Sequence, residues 1–132
     1  MARILVVDDE PAIARIIRLL LEPEGHEVLV ANDGSRGFGM AQRQDPDLIV
    51  LDLMMPVMDG VWLLGMLRAN DRTESVPVLV LSARSDDETQ RQCEALGVEA
   101  YLQKPFQSNE LIAVVERMVA SSSSGEFQEL FP

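Results

Sequence analysis

The sequence predicts an α/β fold, a three-layer, doubly wound parallel sheet of five strands in the order 2-1-3-4-5. Three observations carry this. Five short, largely apolar runs, at residues 4–7, 28–31, 48–51, 76–81 and 99–103, are each followed by a stretch of helical character. Strict strand–helix alternation of this kind builds a parallel sheet with right-handed crossovers and helices on both faces. The runs are rich in Val, Ile and Leu instead of alternating with polar residues, as strands buried on both faces require. A length of 132 residues suits one domain with a core that needs no disulfide, and 2-1-3-4-5 is a common five-strand order.

The elements follow in turn. Ile4 to Val7 is the first strand, and Asp8, Asp9, Glu10 and Pro11 break it into a helix start with Asp9 as N-cap. Ile13, Ile16, Ile17 and Leu20 recur at helical spacing, which predicts an amphipathic helix from about Glu10 to Glu22, stopped by Pro23 and Gly25. Val28 to Ala31 is the second strand, and Asn32-Asp33-Gly34-Ser35 caps a helix from Ser35 to Arg43. Gly37 and Gly39 each cost that helix about 1 kcal/mol relative to Ala, so it leans on packing by Phe38, Met40 and Ala41.

Leu48-Ile49-Val50-Leu51 is the central strand, and it ends on Asp52. The Met58-Asp59-Gly60 turn leads to a helix from Gly60 to Ala69 with Trp62, Leu63, Met66 and Leu67 as its apolar members. Val76-Pro77 to Leu81 is the fourth strand, ending on Ser82. Ser85-Asp86-Asp87-Glu88 fits a capping box with Ser85 as N-cap, opening a polar helix to about Leu96 that Gly97 closes. Only Cys93, Ala95 and Leu96 anchor that helix, which makes it a candidate moving part. Glu99 to Gln103 is a shorter fifth strand, followed at once by Lys104 and Pro105. Ser108 caps a last helix whose apolar face is Leu111, Ile112, Val115, Met118 and Val119. The predicted domain is 1–120. Residues 121–132 open on four serines and a glycine and read as a flexible linker or an appended tail.

A net charge of −11 opposes direct binding of nucleic acid or an anionic membrane by this domain, because phosphate contacts need clustered Lys and Arg. Divalent cations are the more natural partners. The single cysteine, Cys93, excludes an internal disulfide, and the first apolar run is too short for a secretory signal or a membrane span; a cytoplasmic location is expected.

The function-bearing pattern lies at the strand ends. In the predicted order the first, third and fourth strands are neighbours, so Asp8, Asp9, Asp52 and Ser82 converge at the carboxyl edge, where ligands bind in open parallel sheets. Lys104, ending the fifth strand, reaches the same spot. Taken singly, each has a plainer reading: the acid pair caps a helix, Asp52 is a polar strand terminus, Ser82 a turn hydroxyl, Lys104 a solvated cation. Together they describe a phosphoryl site. Three close carboxylates repel one another unless a cation offsets them, and Mg2+ prefers such oxygen ligands while keeping waters that a phosphate oxygen can replace. The remaining parts are a carboxylate nucleophile, an ammonium to neutralise the transferred oxygens, and a hydroxyl donor.

These residues resemble a known family. Asp8-Asp9, the run Leu51-Asp52-Leu53-Met54-Met55-Pro56 with Met58-Asp59-Gly60, Ser82-Ala83 and Lys104-Pro105-Phe106 together are similar to the receiver domain of two-component response regulators, over about Ala2 to Ala120. The resemblance implies the flavodoxin-like receiver fold. It also implies that Asp52 is the phosphoacceptor, taking a phosphoryl group from a sensor histidine kinase or a histidine phosphotransfer protein. Asp9 and Asp52 would bind Mg2+ directly, Asp8 mainly through water, and the Met54 backbone carbonyl would add an oxygen. Lys104 would contact the phosphoryl group, and the Lys104-Pro105 bond is expected to be cis.

Ser82 stands where the family more often has Thr. The implied switch draws Ser82 toward the phosphorylated Asp52, turns Tyr101 into the space vacated, and reshapes the surface of the fourth helix, fifth strand and fifth helix. Through that surface the domain would control an output domain or effector, and could form a homodimer. Without the resemblance, Tyr101 reads as an ordinary half-buried strand tyrosine. Met54 and Arg84 stand where the family sets the lifetime of the phosphorylated state, and fairly slow self-dephosphorylation is expected. Two other classes are weighed: an aspartyl-phosphate hydrolase, for which no separate substrate pocket or second general acid is evident, and a nucleotide or flavin binder of the same fold. The latter lacks a Gly-rich loop, since Asp8-Asp9-Glu10 follows the first strand and would repel a nucleotide phosphate.

Overall fold

The computed structural model describes residues 2–53, 60–83 and 87–124, the side chains of 122–124 excepted. Its elements are β1 (Arg3–Val7), α1 (Pro11–Leu21), β2 (Glu27–Ala31), α2 (Gly34–Gln44), β3 (Leu48–Asp52), α3 (Gly60–Arg68), β4 (Val78–Ser82), α4 (Asp87–Ala95), β5 (Ala100–Gln103) and α5 (Ser108–Ser124), with a 3-10 turn at Glu22–Glu24. The five strands form one parallel sheet in the order β2-β1-β3-β4-β5, as predicted. Expectations resting on Met54, Met55, Pro56, Met58, Asp59, Arg84, Ser85, Asp86 and residues 125–132 fall outside the described residues.

Alternate strand residues divide the core in two. Ile4, Val6, Leu48, Val50, Leu79 and Leu81 face α1 and α5, meeting Ala14, Ile17, Leu21, Leu111, Val115 and Met118. Leu5, Val7, Ile49, Leu51, Val78 and Val80 face the other layer, where Ala41 of α2, Leu63, Leu64 and Leu67 of α3 and Cys93 of α4 close over them. Both faces of β3 and β4 are covered, so every residue of these strands is buried. This is the physical reason the strands read as unbroken apolar runs.

The inward faces of the helices differ from the pattern expected. Ile16 on α1 and Trp62 on α3 point toward solvent, 45% and 53% exposed, while Ala14 and Leu64 take the buried positions. Ala95 of α4 is exposed, and Thr89 and Cys93 are its buried residues. Gly37 lets α2 approach β1 closely, since a Cβ there would lie 2.9 Å from both γ-carbons of Val7. Gly97, at φ +74°, closes the turn after α4 as predicted.

Three helix ends also differ. Asp9 is not the N-cap of α1; Glu10 is, in extended conformation before Pro11. Gln107, not Ser108, caps α5: its carbonyl accepts from Glu110 and Leu111, and its N–H donates to Glu110 Oε1 at 2.9 Å, the reciprocal half of a capping box. Finally, α5 continues through Ser124, so the four serines read as the start of a linker form its last turn.

Candidate functional site

The site is assembled at the carboxyl edge of the sheet because β1, β3, β4 and β5 all end there in parallel. Asp8 follows β1, its N–H donating to the Ala31 carbonyl; Asp52 is the last residue of β3 and Ser82 the last of β4. All three are buried. The chain after β5 is tied to the same edge by the Lys104 N–H, which donates to the Ser82 carbonyl at 2.8 Å. The Lys104-Pro105 bond is cis, as the resemblance implies.

Lys104 Nζ stands at the centre of the cluster, 3.4 Å from Asp8 Oδ2, 3.5 Å from Asp52 Oδ1 and 3.8 Å from Glu10 Oε1. The ammonium is largely shielded and acts as counter-charge to carboxylates that would otherwise repel one another. Burial pushes the Asp8 carboxyl above the usual aspartate range; the Glu10 N–H, donating to Asp8 Oδ1 at 2.9 Å, and the nearby Lys104 ammonium act in the opposite direction.

One carboxylate oxygen from each of Asp8, Glu10 and Asp52 lies within 4.8 Å of the other two, a set of hard oxygen donors able to hold a divalent cation. Asp9, read from the sequence as a metal ligand, is outside this set. Its Oδ1 is nonetheless buried and has no hydrogen-bond partner among the described residues, which leaves a lone pair for a cation to satisfy. The donor chemistry therefore fits Mg2+. Glu10 is the residue sequence reasoning missed; a third acid directly after the acid pair, placed before a proline, was the available signal.

Gly60 proves to be a site residue as well. Its N–H donates to the Leu53 carbonyl, and a Cβ there would lie 2.6 Å from Leu53 Cα and 2.8 Å from the Asp52 carbonyl oxygen. Only glycine lets α3 start this close to the backbone carrying Asp52. Tyr101 is fully buried, not half-buried, beside Val80 in the strand register and within the core layer that includes Cys93 of α4. An open groove of about 520 Å³ lies beside Lys104, walled by Glu10, Ile13 and Ile16 on one side and by Phe106 and Ser108 on the other. Met54 and Arg84 lie outside the described residues.

Residues 4–116 match the family model of the response regulator receiver domain. The chain belongs to that family. This receiver domain is 40% identical over 119 residues to the DNA-binding dual master transcriptional regulator RpaA of Synechocystis, an alignment covering 90% of this chain and 49% of that protein. It superposes on chemotaxis protein CheY4 of Vibrio cholerae with a TM-score of 0.85 at 31% identity, covering 89% and 98% of the two chains. The receiver domain of sensor histidine kinase PA1611 from Pseudomonas aeruginosa, described with a magnesium ion coordinated in its active site cleft, matches with a TM-score of 0.82 at 32% identity, covering 91% and 98%. The chain spans about half the length of the curated relatives it matches. Among the described residues no helix is long and apolar enough to cross a membrane.

Proposed function

We propose that this receiver domain is a phosphorylation-dependent switch in which Asp52 accepts a phosphoryl group from a phosphohistidine of a sensor kinase or phosphotransfer protein. The observation that carries the reading is the position of Lys104 Nζ, 3.5 Å from Asp52 Oδ1 and 3.4 Å from Asp8 Oδ2. An ammonium held against the buried carboxylate that ends β3 can neutralise oxygens transferred to that carboxylate. In the step, an Asp52 oxygen forms a bond to phosphorus as the phosphorus–nitrogen bond breaks, and the imidazole leaves. Asp8, Asp9, Asp52 and the Met54 carbonyl would hold Mg2+. The bound ion supplies charge neutralisation to the phosphoryl oxygens.

The chain's own residues do the rest. Lys104 pairs with the transferred phosphoryl group, and Ser82, buried one strand away, offers its hydroxyl to it. The groove walled by Glu10, Ile13, Ile16 and Phe106 gives the donor imidazole an approach to Lys104. Ser82 moving toward the phosphoryl group would loosen the core layer that holds Val80, Cys93 and Tyr101, and with it α4 and β5, the surface these share with α5 changing in turn. That surface would act on an output segment or effector, or pair two copies of the domain.

The decisive experiment is intact-mass measurement after incubation with acetyl phosphate and Mg2+. The native chain is expected to gain one phosphoryl group and Asp52→Asn none. Equal gain by both, or repeated turnover of the ester without a phosphorylated chain, would overturn the assignment.

A further inference from the structure

Beyond walling the groove, Glu10 has no part in the mechanism above, yet its surroundings assign its carboxylate to the same site. As N-cap of α1 it makes no side-chain capping hydrogen bond, so its carboxylate is not engaged in holding the helix end. Its N–H donates to Asp8 Oδ1 at 2.9 Å, which fixes the two residues relative to each other in a tight turn. Its Oε1 then lies 3.8 Å from Lys104 Nζ, within the oxygen set shared with Asp8 and Asp52.

We propose that Glu10 is a carboxylate of the divalent-cation site, closing it from the solvent side. The inference rests on the Mg2+ reading given above and adds a residue to it. Mg2+ takes oxygens at about 2.0–2.1 Å, so opposite ligands stand about 4 Å apart. The set spread over 4.8 Å must draw in by less than about 1 Å to meet that geometry. Asp8 and Asp52 are held in the core, their side chains 1% and 2% exposed, whereas Glu10 is 60% exposed on a longer stem. The adjustment therefore falls to Glu10. Its approach also takes it from Lys104, leaving the ammonium to the phosphoryl group.

Calorimetric titration of the whole chain with Mg2+ tests this, using the native protein, Glu10→Gln and Glu10→Asp. Both variants are expected to bind Mg2+ about tenfold or more weakly, the effect of removing a group in or next to a metal's coordination shell. The ratio should survive high salt, where the screening length falls to about 3 Å at 1 M and a merely nearby exposed charge no longer counts. The Mg2+-induced rise in unfolding temperature should shrink in parallel.

Three results would overturn the inference: Glu10→Gln binding within twofold of native, Glu10→Asp binding like native while Glu10→Gln does not, or tighter binding by Glu10→Gln. The last would mean that Glu10 serves Lys104 against the metal. Failure of the native chain to accept a phosphoryl group would sink the proposed function while leaving the Mg2+ comparison intact. No Mg2+ binding by the native chain would sink both.

Discussion

Arg68, at the end of α3, is expected to be among the most costly polar residues to remove. Its guanidinium donates to the carbonyls of Leu96 at 2.8 Å, Val76 at 2.7 Å, Gly97 at 3.0 Å and Glu74 at 3.1 Å, and pairs with Glu99 at 3.3 Å. It thus joins the loop before β4, the turn after α4 and the entry to β5. Arg68→Met keeps most of the aliphatic stem and removes the fork. The Glu74 and Gly97 carbonyls are exposed enough to regain water, so they contribute little. Breaking a buried ion pair costs about 3–5 kcal/mol, and side chains left 15% and 17% exposed place this pair at the lower end.

The expected loss is about 3 kcal/mol, a large fraction of the roughly 5–15 kcal/mol that holds a domain together. Urea unfolding at neutral pH reads it as a lowered midpoint with unchanged slope. The pH dependence provides the sharper check. Burial raises the Glu99 carboxyl above the usual glutamate range, against the lowering effect of the Val78 N–H and Arg68. A raised folded pKa means that the stability gained from the neutral acid is complete below the ordinary glutamate value and lost as pH rises through the folded one. Without Arg68 the folded value rises further, so the deficit of Arg68→Met should narrow as pH falls toward about 4.5. A loss under about 1 kcal/mol, or a deficit that widens on acidification, would refute the reasoning.

The glycines give further predictions, all read by urea or thermal unfolding. Gly60→Ala drives a Cβ into backbone at 2.6 and 2.8 Å, against Leu53 Cα and the Asp52 carbonyl oxygen, and should cost about 1–3 kcal/mol. Gly39→Ala should stabilise α2 by about 0.5–1 kcal/mol, since the new methyl meets only the mobile guanidinium end of Arg43. Gly37→Ala gains the same propensity but meets both γ-carbons of Val7 at 2.9 Å, and should be a net loss of about 1–2 kcal/mol.

What was legible in the sequence was what short-range pattern controls. An unbroken apolar run followed by a carboxylate, hydroxyl or amine says that the strand is buried on both faces and leaves the core at a polar edge, and Asp8, Asp52, Ser82 and Lys104 all sit where that argument put them. Helix faces were less legible because apolar residues cover too much of the surface. Between Ile13 and Leu21, α1 carries six large aliphatics, more than its core-facing stripe needs, and packing chose Ile17, Leu21 and the small Ala14 over Ile16 and Leu19. The Arg68–Glu99 link was invisible because it joins two side chains 31 positions apart in the chain.

The misassigned cap at Asp9 has a local cause, and it bears on function. A proline disfavours helical backbone in the residue before it, and Pro11 accordingly leaves Glu10 extended at φ −94°, ψ 106°. The helix therefore starts one residue later than the acid pair suggested, and Asp9 is released from capping. A side-chain cap contributes about 0.5–2 kcal/mol, so α1 begins without a contribution that most helices have. In return none of the three successive acids spends its carboxylate on a side-chain cap of α1. Asp8 meets Lys104, Asp9 has an oxygen with no partner among the described residues, and Glu10 turns back over the same ammonium. A chain selected for stability alone would place Ser or Asp as N-cap and use it; this one holds all three carboxylates available at the mouth of the site.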